Sequence, residues 1–241
     1  MNKRFGWIKQ EPDHRDKEIK FAIRELPKSD DLRPQCPPVV DQENLGSCTA
    51  NAIAGAYAFE HLKQGEGEFN PSRLFIYYNE RVIEHTIKQD AGAIIRDGFK
   101  VIHKKGVCSE ESWPYVISKF DVKPSKQCFS EALKNQAIQY MAVQQTPLQL
   151  KSCLADGYPF VFGFMVYSNF MNIGANGIMP MPAGAVEGGH AVMCVGYNET
   201  HYIIRNSWGS KWGDKGYFYM PYEYMHNENL CSDFWTIRKV E

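Results

Sequence analysis

The apolar pattern of this 241-residue chain changes period near residue 136, and that change limits the fold more than any other feature. Before it, apolar residues recur every three or four positions. Ala50, Ile53, Ala54, Tyr57, Ala58 and Leu62 form one such series, opened by Cys48 and stopped by Gly65. A helix is therefore expected over 48–64, and its small residues predict a central, buried position. Asn70 as cap and Pro71 at the first helical position predict a second helix over 71–87. A third is expected over 94–105, ended by Gly106, and 131–135 reads as part of a short connector. Beyond 136 the segments 138–143, 159–166, 190–197, 201–206, 216–220 and 234–240 read as strands. A short helix interrupts them from Thr146-Pro147 to Leu154. Helices first and strands second specify an α+β fold with two lobes: a helical lobe of about 31–135 and a sheet lobe of about 136–241.

Residues 1–30 differ from the rest. They are charged, lack a sustained helical period and contain Pro12-Asp13-His14-Arg15-Asp16, so an extended leader is expected. Pro34, Pro37 and Pro38 keep the chain extended just after it. The net charge of −1, with no long run of one sign, speaks against a nucleic-acid or membrane-surface partner. No apolar stretch reaches the roughly 18 residues of a membrane span. The first residues, Met1 to Trp7, start basic but are followed by polar and charged ones rather than the apolar core of a signal peptide. The compartment stays open between the cytoplasm and export by a route the sequence does not display. Nothing demands a second copy, so a monomer is expected.

The chemistry concentrates at Gln42-Glu43-Asn44-Leu45-Gly46-Ser47-Cys48. The unpaired N–H groups and partial positive charge at a helix start favour thiolate over thiol, which suits Cys48 to be a nucleophile. A lone cysteine is more often a small buried hydrophobe. The constellation changes that balance: His190 follows Cys48 by 142 residues, in Gly188-Gly189-His190-Ala191-Val192, and Asn206 follows by 16 more. These are the parts of a Cys-His-Asn hydrolase. The seven cysteines and seven histidines show no Cys-x-x-Cys or His-x-x-x-His spacing, so neither metal nor cofactor is expected. Six cysteines remain beside Cys48. Most read as free thiols; Cys194 lies in an apolar strand, and Cys108 with Cys128 stays open as a pair.

With the order Gln, Cys, His, Asn-Ser-Trp-Gly in place, and above all Asn206 to Tyr217, the chain resembles the papain family of cysteine peptidases from about Asp31 onward. Asp31-Leu32-Arg33 is similar to the start of the mature domain, which implies a leader over 1–30 and a peptidase domain over 31–241. The resemblance implies a two-lobed papain-like fold, with a β-sheet or barrel in the second lobe and the active site in the cleft between lobes. It implies that Cys48 attacks a peptide carbonyl, His190 carries the proton, Asn206 orients the imidazole, and Gln42 with the Cys48 N–H holds the oxyanion. It further implies that Trp208 shields the His190–Asn206 bond. Ala91, Gly92 and Gly189 would border an extended peptide or protein substrate, and one of Asp233, Phe234 and Trp235 would floor a specificity pocket. Inhibitory leaders of the family cross the cleft against the substrate direction, so residues 1–30 are expected in the cleft as a restraint, as in a zymogen. Thr49 and Leu45 depart from the usual Trp and Cys at those positions. With the short leader they resemble the short-leader bacterial type. A retired binding module on this fold, or acyl transfer to an acceptor other than water, are the competing readings. The intact set Gln42, Cys48, His190 and Asn206 speaks against the first.

Overall fold

The computed structural model describes residues 4–241; Met1 to Lys3, the start of the leader, lie outside the described residues. The described residues form six α-helices and eight strands. Helices α1 (Cys48–Lys63), α2 (Arg73–Ile83), α3 (Ile95–Lys104) and α4 (Lys126–Ala132) come before the strand-rich half. Then follow β3 (Ala137–Val143), α5 (Pro147–Ala155), β4 (Phe160–Tyr167), β5 (Val186–Tyr197), β6 (His201–Arg205), β7 (Tyr217–Pro221), α6 (Tyr222–His226) and β8 (Cys231–Val240). The leader and its junction add two short strands, β1 (Glu18–Ile19) and β2 (Asp30–Asp31).

The strands form one sheet in the order β1-β3-β8-β4-β5-β6-β7, with β2 beside β5. Neighbours are antiparallel except β1 with β3. The sheet stays open, with β1 and β7 at its edges, so of the two expected forms, sheet or barrel, the sheet is the one adopted. Helix α1 packs against β4, β5 and β8 on one side and α2 and α3 on the other. Being enclosed on both sides, it buries apolar and small residues all around, from Cys48 to His61.

Several boundaries differ from the sequence reading. Helix α2 starts at Arg73, because Ser72 rather than Asn70 is its cap: the Ser72 Oγ accepts the Phe75 N–H at 3.1 Å. It ends at Ile83, four residues short of the expected stop. Helix α4, capped by the Ser125 side chain, runs from Lys126 to Ala132 and ends within the segment 131–135 read as part of a connector. Strand β5 begins at Val186, ahead of the expected start at 190, so Gly188 and Gly189 lie within it. All seven cysteines are unbridged, Cys108 and Cys128 included. No described helix is long and apolar enough to cross a membrane.

Candidate active site

Cys48 is the first residue of α1, and the turn before it is tied down locally. The Asn51 side-chain amide donates to the Ser47 carbonyl at 2.9 Å, and the Ser47 and Tyr115 hydroxyls are 2.6 Å apart. On the facing sheet His190 sits in β5 and Asn206 directly follows β6, its pairing partner. The His190 Nε2 lies 2.8 Å from the Asn206 Oδ1, which also accepts the Ser207 N–H at 2.8 Å. An amide oxygen only accepts, so Nε2 carries the hydrogen and Nδ1 is left as the basic nitrogen. Trp208 stacks on the imidazole, with centroids 5.0 Å apart and planes at 28°. Cys48, His190 and Asn206 are all buried. The Ala191 backbone, one residue past His190, lies close enough to the Cys48 sulfur to favour its thiolate. Burial pushes the Cys48 thiol up to about 12, against opposing hydrogen bonds from the backbone of Ala191, Gly6 and Thr49.

Gln42 is wholly buried beside this group. Its Oε1 accepts the Ser207 hydroxyl at 2.7 Å, and its Nε2 donates to the carbonyls of Leu45 at 2.9 Å and Arg4 at 3.3 Å. The second acceptor belongs to the leader, whose residues 4–10 run across the same place. The Gly6 carbonyl accepts the Ala93 N–H at 2.7 Å, and the Ile8 N–H donates to the Ala93 carbonyl at 3.0 Å, a parallel bridge centred on Trp7 and Ala93. The Trp7 N–H donates to the Gly189 carbonyl at 2.9 Å. Phe5 contacts both His190 and Trp208, at 6.0 and 6.1 Å between centroids.

Trp7 is 7% exposed. It fits because Gly163 on β4 and Gly189 on β5 lack side chains. A Cβ at Gly163 would fall 1.9 Å from the indole, and one at Gly189 2.5 Å from the Trp7 carbonyl. The indole N–H donates to the Asp233 carboxylate at 2.8 Å, which also accepts the Gln10 N–H at 3.0 Å. Of the three candidates for the pocket floor, Asp233 faces the leader, and the Trp235 indole N–H also reaches it, donating to Gln10 Oε1 at 3.1 Å. Phe234 turns to the core and stacks on Phe162 at 5.4 Å, and Trp235 packs on Phe99.

The structure brings Gln42, Cys48, His190, Asn206, Trp208, Gly92 and Gly189 around one cleft. A Cβ at Gly92 would lie 2.2 Å from the Gly6 carbonyl. The residue that pairs with the leader through both N–H and carbonyl is Ala93, two positions past Ala91. Sequence reading passed over Gly163 and over the side chain of Asp90, which accepts the Arg4 guanidinium at 2.9 Å. Gly163 carries no signal until β4 and β5 are placed side by side.

Known proteins place the chain clearly. Residues 26–232 match the family described as papain family cysteine protease. An uncharacterized peptidase C1-like protein, L477 of Acanthamoeba polyphaga mimivirus, is 44% identical, with all of this chain and 88% of that protein covered. Cathepsin B-like CP3 of Giardia intestinalis is 31% identical over 82% of this chain and 70% of its own. The crystal structure of xylellain, a cysteine protease from Xylella fastidiosa, superposes with a TM-score of 0.95 at 44% identity, covering 100% of this chain and 97% of that one. The fold is papain-like, the protein is a cysteine-type peptidase, and the chain belongs to the papain family of cysteine proteases.

Proposed function

We propose that this protein is a cysteine endopeptidase whose Cys48, His190 and Asn206 cleave peptide bonds, with Gln42 as oxyanion donor, and that its own residues 4–10 hold it latent. The observation that carries the catalytic reading is the 2.8 Å contact of His190 Nε2 with Asn206 Oδ1, made where the sulfur of Cys48 meets the backbone of Ala191. That bond directs the basic Nδ1 away from Asn206. Nδ1 takes the thiol proton, and the thiolate attacks the carbonyl carbon. The C–N bond then breaks as His190 returns the proton to the leaving amine. Water, deprotonated by His190, releases the carboxylic acid from the thioester and regenerates the thiol. Charge on the tetrahedral oxygen is met by the Gln42 amide N–H and the Cys48 N–H. One such donor is typically worth about 3–4 kcal/mol of barrier. Trp208 keeps water from the His190–Asn206 bond.

Latency is supported by the same contacts. The Arg4 carbonyl accepts from Gln42, Gly6 touches the sulfur, and Trp7 fills the pocket above Asp233. The leader bridges Ala93 in parallel, opposite to the antiparallel pairing of an extended substrate. Its attachment to the domain gives it an effective concentration of about millimolar, so modest contacts keep it in place. On this reading 31–241 is the peptidase domain and 1–30 its restraint. Hydrolysis of a peptide amide by the Cys48→Ala, His190→Ala and Asn206→Ala variants is the test. The first two should fall to background with the fold retained, and the third should keep partial activity. Near-normal turnover by Cys48→Ala would remove the assignment.

A further inference from the structure

Behind the start of α1, four side chains form a hydrogen-bonded chain that the catalytic steps do not use. Arg73, the first residue of α2, stands at its far end. Glu110 pairs with the Arg73 guanidinium, which also lies over the Tyr115 ring at 3.9 Å. Its Nη1 donates to the Asn51 Oδ1 at 3.1 Å and to the Asp41 carbonyl at 3.0 Å. The Asn51 Nδ2 donates to the Ser47 Oγ at 3.0 Å and to the Ser47 carbonyl at 2.9 Å. The Ser47 and Tyr115 hydroxyls meet, and the Tyr115 hydroxyl donates to the Gln42 carbonyl at 2.8 Å. The two ends fix the direction of every hydrogen between them. A guanidinium only donates and a carbonyl only accepts, so the Ser47 hydroxyl donates to Tyr115. Ser47 and Asn51 are buried, and the Arg73 side chain is 12% exposed. Ser47 also stands at the N-cap of α1, yet its hydroxyl does not cap the helix. A serine there ordinarily accepts an N–H of the first turn. This one is diverted into the chain instead.

We propose that Asn51 and Tyr115 are positioning residues for the oxyanion site, Asn51 aiming the Cys48 N–H and Tyr115 the Gln42 side chain. The proposal rests on the peptidase reading and deepens it. The peptide unit that carries the Cys48 N–H also carries the Ser47 carbonyl, and in a trans unit the two point in opposite directions. Asn51 holds that carbonyl twice, through Nδ2 and through its backbone N–H at 3.0 Å. Fixing the carbonyl fixes the N–H on the other side of the unit. It also polarises the unit, which strengthens the N–H as a donor. Gln42 is tied at three points. Its N–H donates to the Ser207 carbonyl at 2.8 Å, Arg73 takes the Asp41 carbonyl before it, and Tyr115 takes its own carbonyl. A side chain rooted in so fixed a backbone has its amide in place before charge develops. Donors aimed beforehand cost no reorganisation at the moment of reaction. Ser47 joins the two halves, with its carbonyl on Asn51 and its hydroxyl on Tyr115, so one chain sets the spacing between both donors.

The test measures two rates on the same full-length protein. One is kcat/KM for a peptide amide; the other is alkylation of Cys48 by iodoacetamide, located by peptide mapping. Both need the leader raised and the thiolate formed, but displacement of iodide builds no oxyanion. The ratio of hydrolysis to alkylation therefore reads the oxyanion site and cancels the fraction of open molecules. Gln42→Ala should lower that ratio by about 10²–10³-fold, as for a deleted oxyanion donor. Tyr115→Phe, which removes one oxygen and keeps the ring, should lower it by about two- to ten-fold, the weight of one hydrogen bond. Asn51→Leu, of similar volume, should lower it by about ten-fold or more, because two hydrogen bonds go. In a Gln42→Ala background Tyr115→Phe should change the ratio by less than about two-fold, since its effect passes through Gln42. A ratio unchanged in both single variants overturns the proposal. So does alkylation that falls in step with hydrolysis, or a Tyr115→Phe effect undiminished without the Gln42 amide. If Gln42→Ala itself leaves the ratio unchanged, the oxyanion assignment fails and this inference falls with it.

Discussion

Trp7→Ala is the substitution that should open the cleft. The indole is almost wholly enclosed by Gly163, Gly189 and Asp233. Truncating a buried Trp typically costs about 3–5 kcal/mol, and the Asp233 carboxylate would lose a donor besides. The leader can lift, which relieves part of that loss, so about 3 kcal/mol is a fair working value. At about 1.4 kcal/mol per tenfold, the equilibrium between closed and open leader shifts by about 100-fold. The rate on a small peptide substrate well below KM should rise by that factor, or by as much as is needed to open every molecule, whichever is less. Trp7→Phe keeps the ring and loses only the N–H to Asp233. It should gain about ten-fold, since a hydrogen bond to a charged group carries about 1.5 kcal/mol. Initial rates of a quenched fluorescent peptide read this directly, with intact mass confirming that residues 1–30 remain attached. A Trp7→Ala protein that turns over substrate no faster than the wild type, with both folded, would refute the reasoning. A point substitution is a cleaner probe than truncation, because the leader also supplies β1 and the Pro27 carbonyl that accepts the Tyr197 hydroxyl at 2.9 Å.

In the opened protein the rate should follow a bell in pH, its acid limb set by thiolate formation and its alkaline limb by loss of the imidazolium; a rate that climbs steadily through the ordinary thiol range near 8.5 would contradict an activated pair. Burial holds the carboxyl of Glu60 up at about 7, with Lys63 and Arg238 pulling the other way. Its folded pKa is raised, so the neutral side chain adds no penalty below about 4.5, and stability is lost as pH rises towards 7. Glu60→Gln removes that loss, and urea midpoints should show it gaining on the wild type by on the order of 2 kcal/mol between pH 5 and pH 8; a gap that does not change with pH would contradict this. Among the described residues no cluster of His, Cys, Asp or Glu could hold a metal ion. Hydrolysis should therefore persist in a chelator, and loss restored by zinc would count against the mechanism.

The parts of the fold that were legible in the sequence are those set by local chemistry. Helix α1 announces itself by Ala50 to Leu62 at helical spacing, and α5 by Thr146 as cap with Pro147 behind it, where the Thr146 side chain accepts the Gln149 N–H. Asn70-Pro71 imitates a helix start, yet Ser72 captures the Phe75 N–H, a choice that depends on how Pro71 pairs with Ser109. Helices α4 and α6 are too short, at seven and five residues, for periodicity to speak. Cys48, His190 and Asn206, the proposed nucleophile, base and orienting amide, stood out in the sequence because the proposed chemistry demands those residue types. Ala93 was not, because its pairing is a matter of register with a segment 86 positions away, nor was Asp90, whose meaning comes from Gly46, Tyr77 and Arg4 meeting around it. The crossing of the cleft by the leader was legible only through resemblance. Its physical cause, a Trp-shaped space over Gly163, Gly189 and Asp233, exists only once β4 and β5 are paired and β8 is beside them.

Covalent labelling of the full-length chain by a thiol-directed epoxide, followed by intact mass and peptide mapping, tests the account most directly. Burial pushes the Cys48 thiol up to about 12 and the leader lies across it, so the wild type should label slowly. The label should fall on Cys48 and on none of the other six cysteines. Trp7→Ala should accelerate it, and His190→Ala should abolish the acceleration, because the thiolate is formed by the imidazole. Labelling that falls on another cysteine, or that proceeds at the same rate with Trp7 and His190 replaced, would contradict a Cys48–His190 nucleophile held closed by residues 4–10.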